Sequence, residues 1–330
     1  METRKSDTLN RAYYQPPVRD IWQGRIDGIE PGQLRWHQHM TLADISAGQD
    51  ADLSGAVVFL GFACDEGVRR NQGRIGARNG PKALRRALAN LPVHHPTQQL
   101  ADAGDIICPK GNLEQAQHQL AKAVQTILLA GGFPILLGGG HEITYGHYQG
   151  ILQATGRPPS MVNFDAHFDN RPTQGTGPSS GTGFWQIAES LQPSYADFAY
   201  LAIGIQAAGN TQARFATADK TGTAYILAGD FHAGQLAEIH AKIESLLQRQ
   251  EGIYITIDLD VFAAAYAPGV SAPAYIGIAP DHFFFDCLDR ILDSGLVVAI
   301  DLAELNPEWD IDNRTARLAA NIIHHITARL

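Results

Sequence analysis

Eight short apolar runs, separated by helical stretches, constrain this chain most. They cover residues 56–62, 102–106, 133–137, 160–164, 198–203, 224–227, 253–257 and 296–300. Short, uninterrupted apolar runs read as strands buried on both faces. Helical patterns at 80–91, 143–153, 184–191, 235–248, 281–292 and 314–330 fill the gaps between them. The clearest helix begins after Asn112, a good N-cap. It repeats Leu113, Ala116, Leu120, Ala123, Val124 and Ile127 on one face and stops at Gly131. Pro81 opens another, at a position where its missing N–H costs nothing. Such alternation gives an α/β fold, either a parallel sheet with helices on both faces or an eightfold barrel. Residues 1–50, with Pro16-Pro17 and Pro31-Gly32, read as an arm laid on that body. No Pro/Ser-rich linker or charge run divides the rest, so residues 1–330 are expected to form a single domain.

Four of the runs end in groups that can bind a cation. Gly138-Gly139-Gly140-His141-Glu142 follows the third, and Asp165-Ala166-His167-Phe168-Asp169 follows the fourth. Asp258-Leu259-Asp260 closes the seventh, and Asp301-Leu302-Ala303-Glu304 follows the eighth. In parallel α/β folds ligands bind at the C-terminal edge of the strands. In extended backbone, residues two apart point to one side, so Asp165, His167 and Asp169 can converge. A lone glycine turn, a lone Asp-x-Asp or a lone Asp-x-His would mean little; three at equivalent strand ends mean much more. His141, Asp165, His167, Asp169, Asp258 and Asp260 are therefore the candidate metal ligands. The set mixes oxygen and nitrogen without sulfur, which suits Mn²⁺ better than Zn²⁺ or Cu²⁺. Four converging carboxylates repel one another, and two divalent ions would cancel their charge. A dinuclear centre of that kind makes hydroxide from water near neutral pH. His147, six residues past His141, reads as structural, and His94-His95 and His324-His325 as surface or packing residues.

Composition narrows the partners. The net charge of -9 argues against nucleic acid, which selects a basic face. No run of about 18 apolar residues exists to span a membrane, and the polar first ten residues lack the apolar stretch of a signal peptide. Cys64, Cys108 and Cys287 have no C-x-x-C spacing and read as thiols of a reducing compartment, so a cytoplasmic protein is expected. Its partner would be a small-molecule substrate, with a homo-oligomer left open. Two other classes stay in view. Gly177-Pro178-Ser179-Ser180-Gly181 matches a serine nucleophile elbow, but the polar stretch before it is no strand. A non-catalytic metal-binding protein would keep the same ligands.

The three ligand blocks, the Asp301-Leu302-Ala303-Glu304-Leu305-Asn306-Pro307 segment, and Asn71-Gln72-Gly73-Arg74-Ile75-Gly76 with Gly80-Pro81 resemble the ureohydrolase family of arginases and agmatinases. The resemblance runs from about residue 55 to the C-terminus. It implies a three-layer α/β/α domain with an eight-stranded parallel sheet, and so argues against the barrel. It also implies two Mn²⁺ per chain. Asp165 and Asp258 would bridge them, His141 and Asp169 would complete one ion, and His167 and Asp260 the other. A bridging hydroxide would attack a planar C=N carbon, with Glu304 as the catalytic residue holding the cationic nitrogen end. Ser180 stands where arginases and agmatinases carry a proton-shuttling histidine. That departure, with Trp22 to Asp27 in the arm, Asp169-Asn170-Arg171-Pro172 and Thr182 to Ile187, is similar to the branch acting on N-formimino-L-glutamate in histidine degradation. Its two carboxylates would need local cations, for which Arg74 and Arg171 are the choices, with hydrogen bonds from Asn71, Ser179 and Ser180. A guanidino substrate releasing urea is the runner-up.

Overall fold

The computed structural model describes residues 9–46, 52–175, 177–191, 195, 197–249 and 251–330. Ten strands are present among them: β1 (Tyr14–Gln15), β2 (Thr41–Leu42), β3 (Val57–Ala63), β4 (Leu100–Ile107), β5 (Phe133–Leu137), β6 (Ser160–Phe164), β7 (Tyr200–Ile205), β8 (Ala224–Leu227), β9 (Ile253–Asp258) and β10 (Val297–Ala303). They form one sheet in the order β1-β4-β3-β5-β10-β9-β6-β7-β8, with β2 also on β4. From β4 to β8 every pairing is parallel, which gives the eight strands that the sequence shows. β1 and β2 are two-residue additions from the arm. β1 runs antiparallel to β4 and β2 parallel to it. They lack apolar periodicity because they are too short to show any. An open edge at β8 excludes the barrel.

Alternation along each strand builds two cores. Val57 and Phe59 of β3, with Ile253, Ile255 and Ile257 of β9, face one side. Val58, Leu60 and Phe62, with Tyr254, face the other. Helices Gly80–Leu88, Leu236–Leu247, His282–Leu292 and Arg314–Thr327 cover the first face. Helices Leu113–Leu129, Ile143–Thr155, Gly183–Ser190 and Gln212–Thr221 cover the second. This is the three-layer α/β/α arrangement. Each large apolar side chain fully buried in it is worth about 1.5–3 kcal/mol. The arm joins the first core through Trp22 and Trp36, whose rings lie 6.5 and 5.7 Å from Phe59.

Three helices were not legible. Trp36–His39 and Glu66–Arg70 are each about one turn long, too short for a periodicity. Gln212–Thr221 buries only Ala218 and Thr221, so it has almost no apolar stripe.

The register fixes the site. Leu137, Leu302, Ile257 and Phe164 stand side by side at the ends of β5, β10, β9 and β6. These four strands are neighbours in mid-sheet, so the residues just beyond them share one rim.

Candidate metal centre and its cavity

His141 leaves β5 through three glycines that the packing requires. A Cβ on Gly139 would lie 1.9 Å from the Cys64 carbonyl oxygen, and one on Gly138 would lie 2.5 Å from that of Leu302. The turn can therefore press onto β3 and β10. His141 is buried, and its ring is oriented from behind. Its Nε2 lies 2.9 Å from the Thr256 hydroxyl, which itself donates to Asp301 at 2.5 Å. Since the hydroxyl proton is given to Asp301, Nε2–H is the donor to Thr256, and Nδ1 is the nitrogen left facing the carboxylates. Tyr254 and His147 also donate to Asp301, at 2.5 and 2.7 Å. A histidine held this way is oriented as metal-ligating histidines are.

That Nδ1 lies 3.1, 2.9 and 3.2 Å from oxygens of Asp165, Asp169 and Asp258, yet it has no hydrogen-bond partner. Four groups converging without a bond among them suit a shared cation. His141, Asp165, Asp169 and Asp258 form one set whose ligand atoms all lie within 4.8 Å of one another; Asp165, His167 and Asp260 form a second, sharing Asp165. Asp258 falls in the first set only, and its other oxygen accepts the Asp260 amide at 2.8 Å. Asp169 adopts φ 45°, a left-handed conformation uncommon outside glycine.

Electrostatics point the same way. Burial, then Asp260 and Asp165, push the Asp258 carboxyl well above its ordinary range. Burial with neighbouring acids pushes Asp260 up to about 6 and raises Asp169. Burial also works against charge on Asp165, but the two imidazoles overcome it and hold that carboxyl low. Asp260 is the main cause of the rise at His167. At His141, burial opposes the proton and Asp165, Asp169 and Asp258 outweigh it. The cluster draws in positive charge wherever it can, and divalent ions fit its oxygen-rich donor set.

Residues 55–328 match the arginase family. The chain belongs to the arginase family. Formimidoylglutamase of Chromobacterium violaceum is 44% identical over 315 residues, covering 94% of this chain and 98% of that one. Formimidoylglutamase of Geobacillus thermodenitrificans is 43% identical over 311 residues, covering 93% and 94%. Among solved structures, the formiminoglutamase of Trypanosoma cruzi with Mn2+2 superposes with a TM-score of 0.72 at 27% identity, covering 86% of this chain and 94% of that one.

In this arginase-family chain the candidate ligands His167, Asp169, Asp258 and Asp260 line a cavity of about 190 Å³. Glu304 lines it from just past the end of β10 with φ 69°, a second left-handed residue in the site. Its Oε1 accepts the His141 amide at 2.7 Å, and its Oε2 is buried without a partner. Burial pushes its carboxyl up to about 7. It belongs to neither ligand set. Behind it, Glu142 accepts the Gly67 amide at 2.8 Å, and burial with Glu304 pushes its carboxyl up to about 8. Glu142 thus braces the turn rather than entering the cavity.

At the mouth, Arg171 donates to Asn71 at 2.8 Å, and Asn71 donates to Ser180 at 3.0 Å. All three line the cavity. Arg74 is a correction to the sequence reading, because it does not line it. Its guanidinium binds the Pro268 and Val270 carbonyls and stacks 4.5 Å over Trp309. Ser179 is also placed elsewhere: it is buried behind the cavity, next to Thr182. Arg214 takes a cavity position that the sequence reading missed. Its helix has no apolar stripe, and nothing near it in sequence suggests a site.

Proposed function

We propose that this chain hydrolyses N-formimino-L-glutamate to L-glutamate and formamide, with two Mn²⁺ held by His141, Asp165, His167, Asp169, Asp258 and Asp260. The observation that carries it is the pair of overlapping ligand sets around Asp165, in a chain about 43% identical over nearly its full length to formimidoylglutamases. When bound, the two ions lower the pKa of water and so supply a nucleophile at neutral pH. Asp165, common to both sets, would serve both ions, and Asp258 would join His141 and Asp169 in holding one of them.

The residues around the ions position the substrate. Glu304 lines the cavity, its Oε2 has no hydrogen-bond partner, and an amidine N–H can supply one. Its other oxygen is tied to the His141 amide, so the acceptor is fixed relative to the metal floor. Water adds at the C=N carbon, the bond to the α-nitrogen breaks, and that nitrogen leaves as the amine after gaining a proton. The Asn71-Ser180 pair and Arg171 hold the acidic end of the substrate. Depth in the cavity thus separates the amidine from the carboxylates.

No described helix is long and apolar enough to cross a membrane. We place the enzyme in the cytoplasm, a reducing compartment in which the thiols of Cys64, Cys108 and Cys287 would persist. The Mn²⁺-loaded protein tests the reading. Incubated with formiminoglutamate, agmatine, guanidinobutyrate and arginine, it should release formamide and glutamate from the first and little urea from the others. Fast urea release with no turnover of formiminoglutamate would overturn it.

A further inference from the structure

The mouth of the cavity carries positive charge that the protein does not balance. Arg171 and Arg214 both line it. Neither makes an ion pair with a carboxylate among the described residues, whereas Arg69, Arg70 and Arg78 nearby do. The two are close enough that Arg171, after burial, lowers the pKa of the Arg214 guanidinium. In a chain of net charge -9, two adjacent cations left without acids at a cavity mouth call for an anionic ligand.

Their supports are built into the metal loop. Arg214 donates from Nη1 to the Asn170 carbonyl at 2.9 Å, and the Asn170 side chain donates back to the Arg214 carbonyl at 3.0 Å. Asn170 follows the candidate ligand Asp169 and precedes Arg171. One three-residue stretch therefore carries a metal ligand, the anchor of one guanidinium and the backbone of the other. The spacing between metal floor and cationic mouth is set by this short stretch of backbone. Arg214 spends an Nη1 donor on the Asn170 carbonyl and Arg171 spends one on the Asn71 side chain, and each keeps N–H groups for a ligand.

We propose that Arg214 is a specificity-determining residue, pairing with Arg171 so that each guanidinium receives one of two carboxylates on the substrate. The inference rests on the formiminoglutamate reading and adds to it a rule: the site selects dicarboxylates. A monocarboxylate leaves one guanidinium unpaired and gains nothing from it. Arg forks suit this task because they grip carboxylates with two donors at once.

The test uses the Mn²⁺-loaded protein with three compounds: N-formimino-L-glutamate, N-formiminoglycine, which keeps only the α-carboxylate, and 4-(formimidoylamino)butyrate, which keeps only the distal one. Arg214→Gln should lower kcat/KM on the dicarboxylate roughly 10- to 100-fold, as loss of a charged hydrogen-bonded contact does. On one of the two monocarboxylates the same change should cost under about threefold. Metal content should be unaltered, and Arg214→Lys should recover part of the loss. Equal losses on all three compounds would overturn the proposal, as would no loss on any. A second measurement does not need turnover: glutarate binding, compared with butyrate by calorimetry, should favour glutarate in the parent and lose most of that preference in Arg214→Gln. A retained preference in the variant overturns the two-guanidinium site. An unaltered parent preference for glutarate together with urea-only activity would instead overturn the substrate reading alone.

Discussion

Two clusters of buried charge sit on the same sheet and meet opposite fates. On the outer half, Arg85, about 1% exposed, lies between Asp102 and Asp105. Its Nε and Nη2 reach the two oxygens of Asp102 at 2.9 and 2.8 Å, its Nη1 reaches Asp105 at 2.6 Å, and the Gly104 carbonyl takes a further bond. Trp22 from the arm completes Asp102 at 2.7 Å. In mid-sheet, four aspartates and two imidazoles crowd one rim with His141 Nδ1 unbonded and the Asp258 and Asp260 carboxyls pushed up by burial and neighbouring acids. Burying ions is expensive in both places. The first cluster supplies its own counter-charge and hydrogen bonds, so it is complete as folded. The second does not, and that incompleteness marks it for a ligand. Charge left unbalanced by the chain separates a site from a structural knot more clearly than burial does.

The largest expected effect removes the missing charge. Chelation should abolish turnover, by more than about 10³-fold, and Mn²⁺ should restore it. Asp165→Ala, which removes the carboxylate common to both sets, should lose bound metal as well as activity. Two full equivalents of metal in that variant would break the assignment. Without metal, Asp258→Asn should unfold no more easily than the metal-free parent, because it relieves repulsion. Loading should also release protons, since Asp260, pushed up to about 6, must give up its proton to coordinate; affinity therefore falls as pH drops through that value.

The complete cluster should respond in the opposite way. Arg85→Met leaves Asp102 buried without its cation, and should cost about 3–5 kcal/mol of stability. Where the variant folds, its metal stoichiometry and kcat should match the parent. Loss of metal with unchanged stability would reverse the roles given to the two clusters.

Between these extremes lie the groups that tune the metal floor. Glu304→Gln should keep both ions and lose about 10²- to 10³-fold in kcat/KM, as removal of one aimed electrostatic contact does; loss of metal would move Glu304 among the ligands. Thr256→Val breaks the link from Asp301 to His141 Nε2 and should weaken metal binding about 10- to 100-fold, read by competition with a chelator.

What the sequence made legible follows from range. Apolar runs and strand-end motifs are local, so the eight parallel strands and the candidate ligands on the shared rim were readable from spacing. Relations across the sheet were not. Thr256 looks like an ordinary strand residue, and Asp301 like one more strand-end acid, until register sets both behind His141. Arg74 and Arg214 show the same limit from both sides: proximity to a motif suggested Arg74, yet the backbone carbonyls of 268 and 270 and the Trp309 ring occupy it. Arg214, 45 residues past Asp169 in a helix of weak pattern, lines the cavity and is tied to the ligand loop by its bond to Asn170.

The smallest effect is expected at Ser179, and it tests the alternative hydrolase chemistry. A nucleophile elbow needs a strand before the serine, a helix after it and an exposed hydroxyl. Here no strand occurs among the described residues between β6 and Ser179. Ser179 is about 2% exposed, its amide donates to Thr182 Oγ1 at 2.9 Å, and the same hydroxyl donates back to its carbonyl. The turn is held through the backbone of Ser179 and the side chain of Thr182. Ser179→Ala should therefore cost no more than about 1 kcal/mol and leave kcat within about twofold. Thr182→Ala should loosen the turn more, because it removes the hydroxyl that both bonds use. A serine-directed fluorophosphonate should leave the parent unlabelled and active. Stoichiometric labelling at Ser179, with loss of turnover despite full Mn²⁺, would place the chemistry in the turn and reduce the carboxylate rim to a structural metal site.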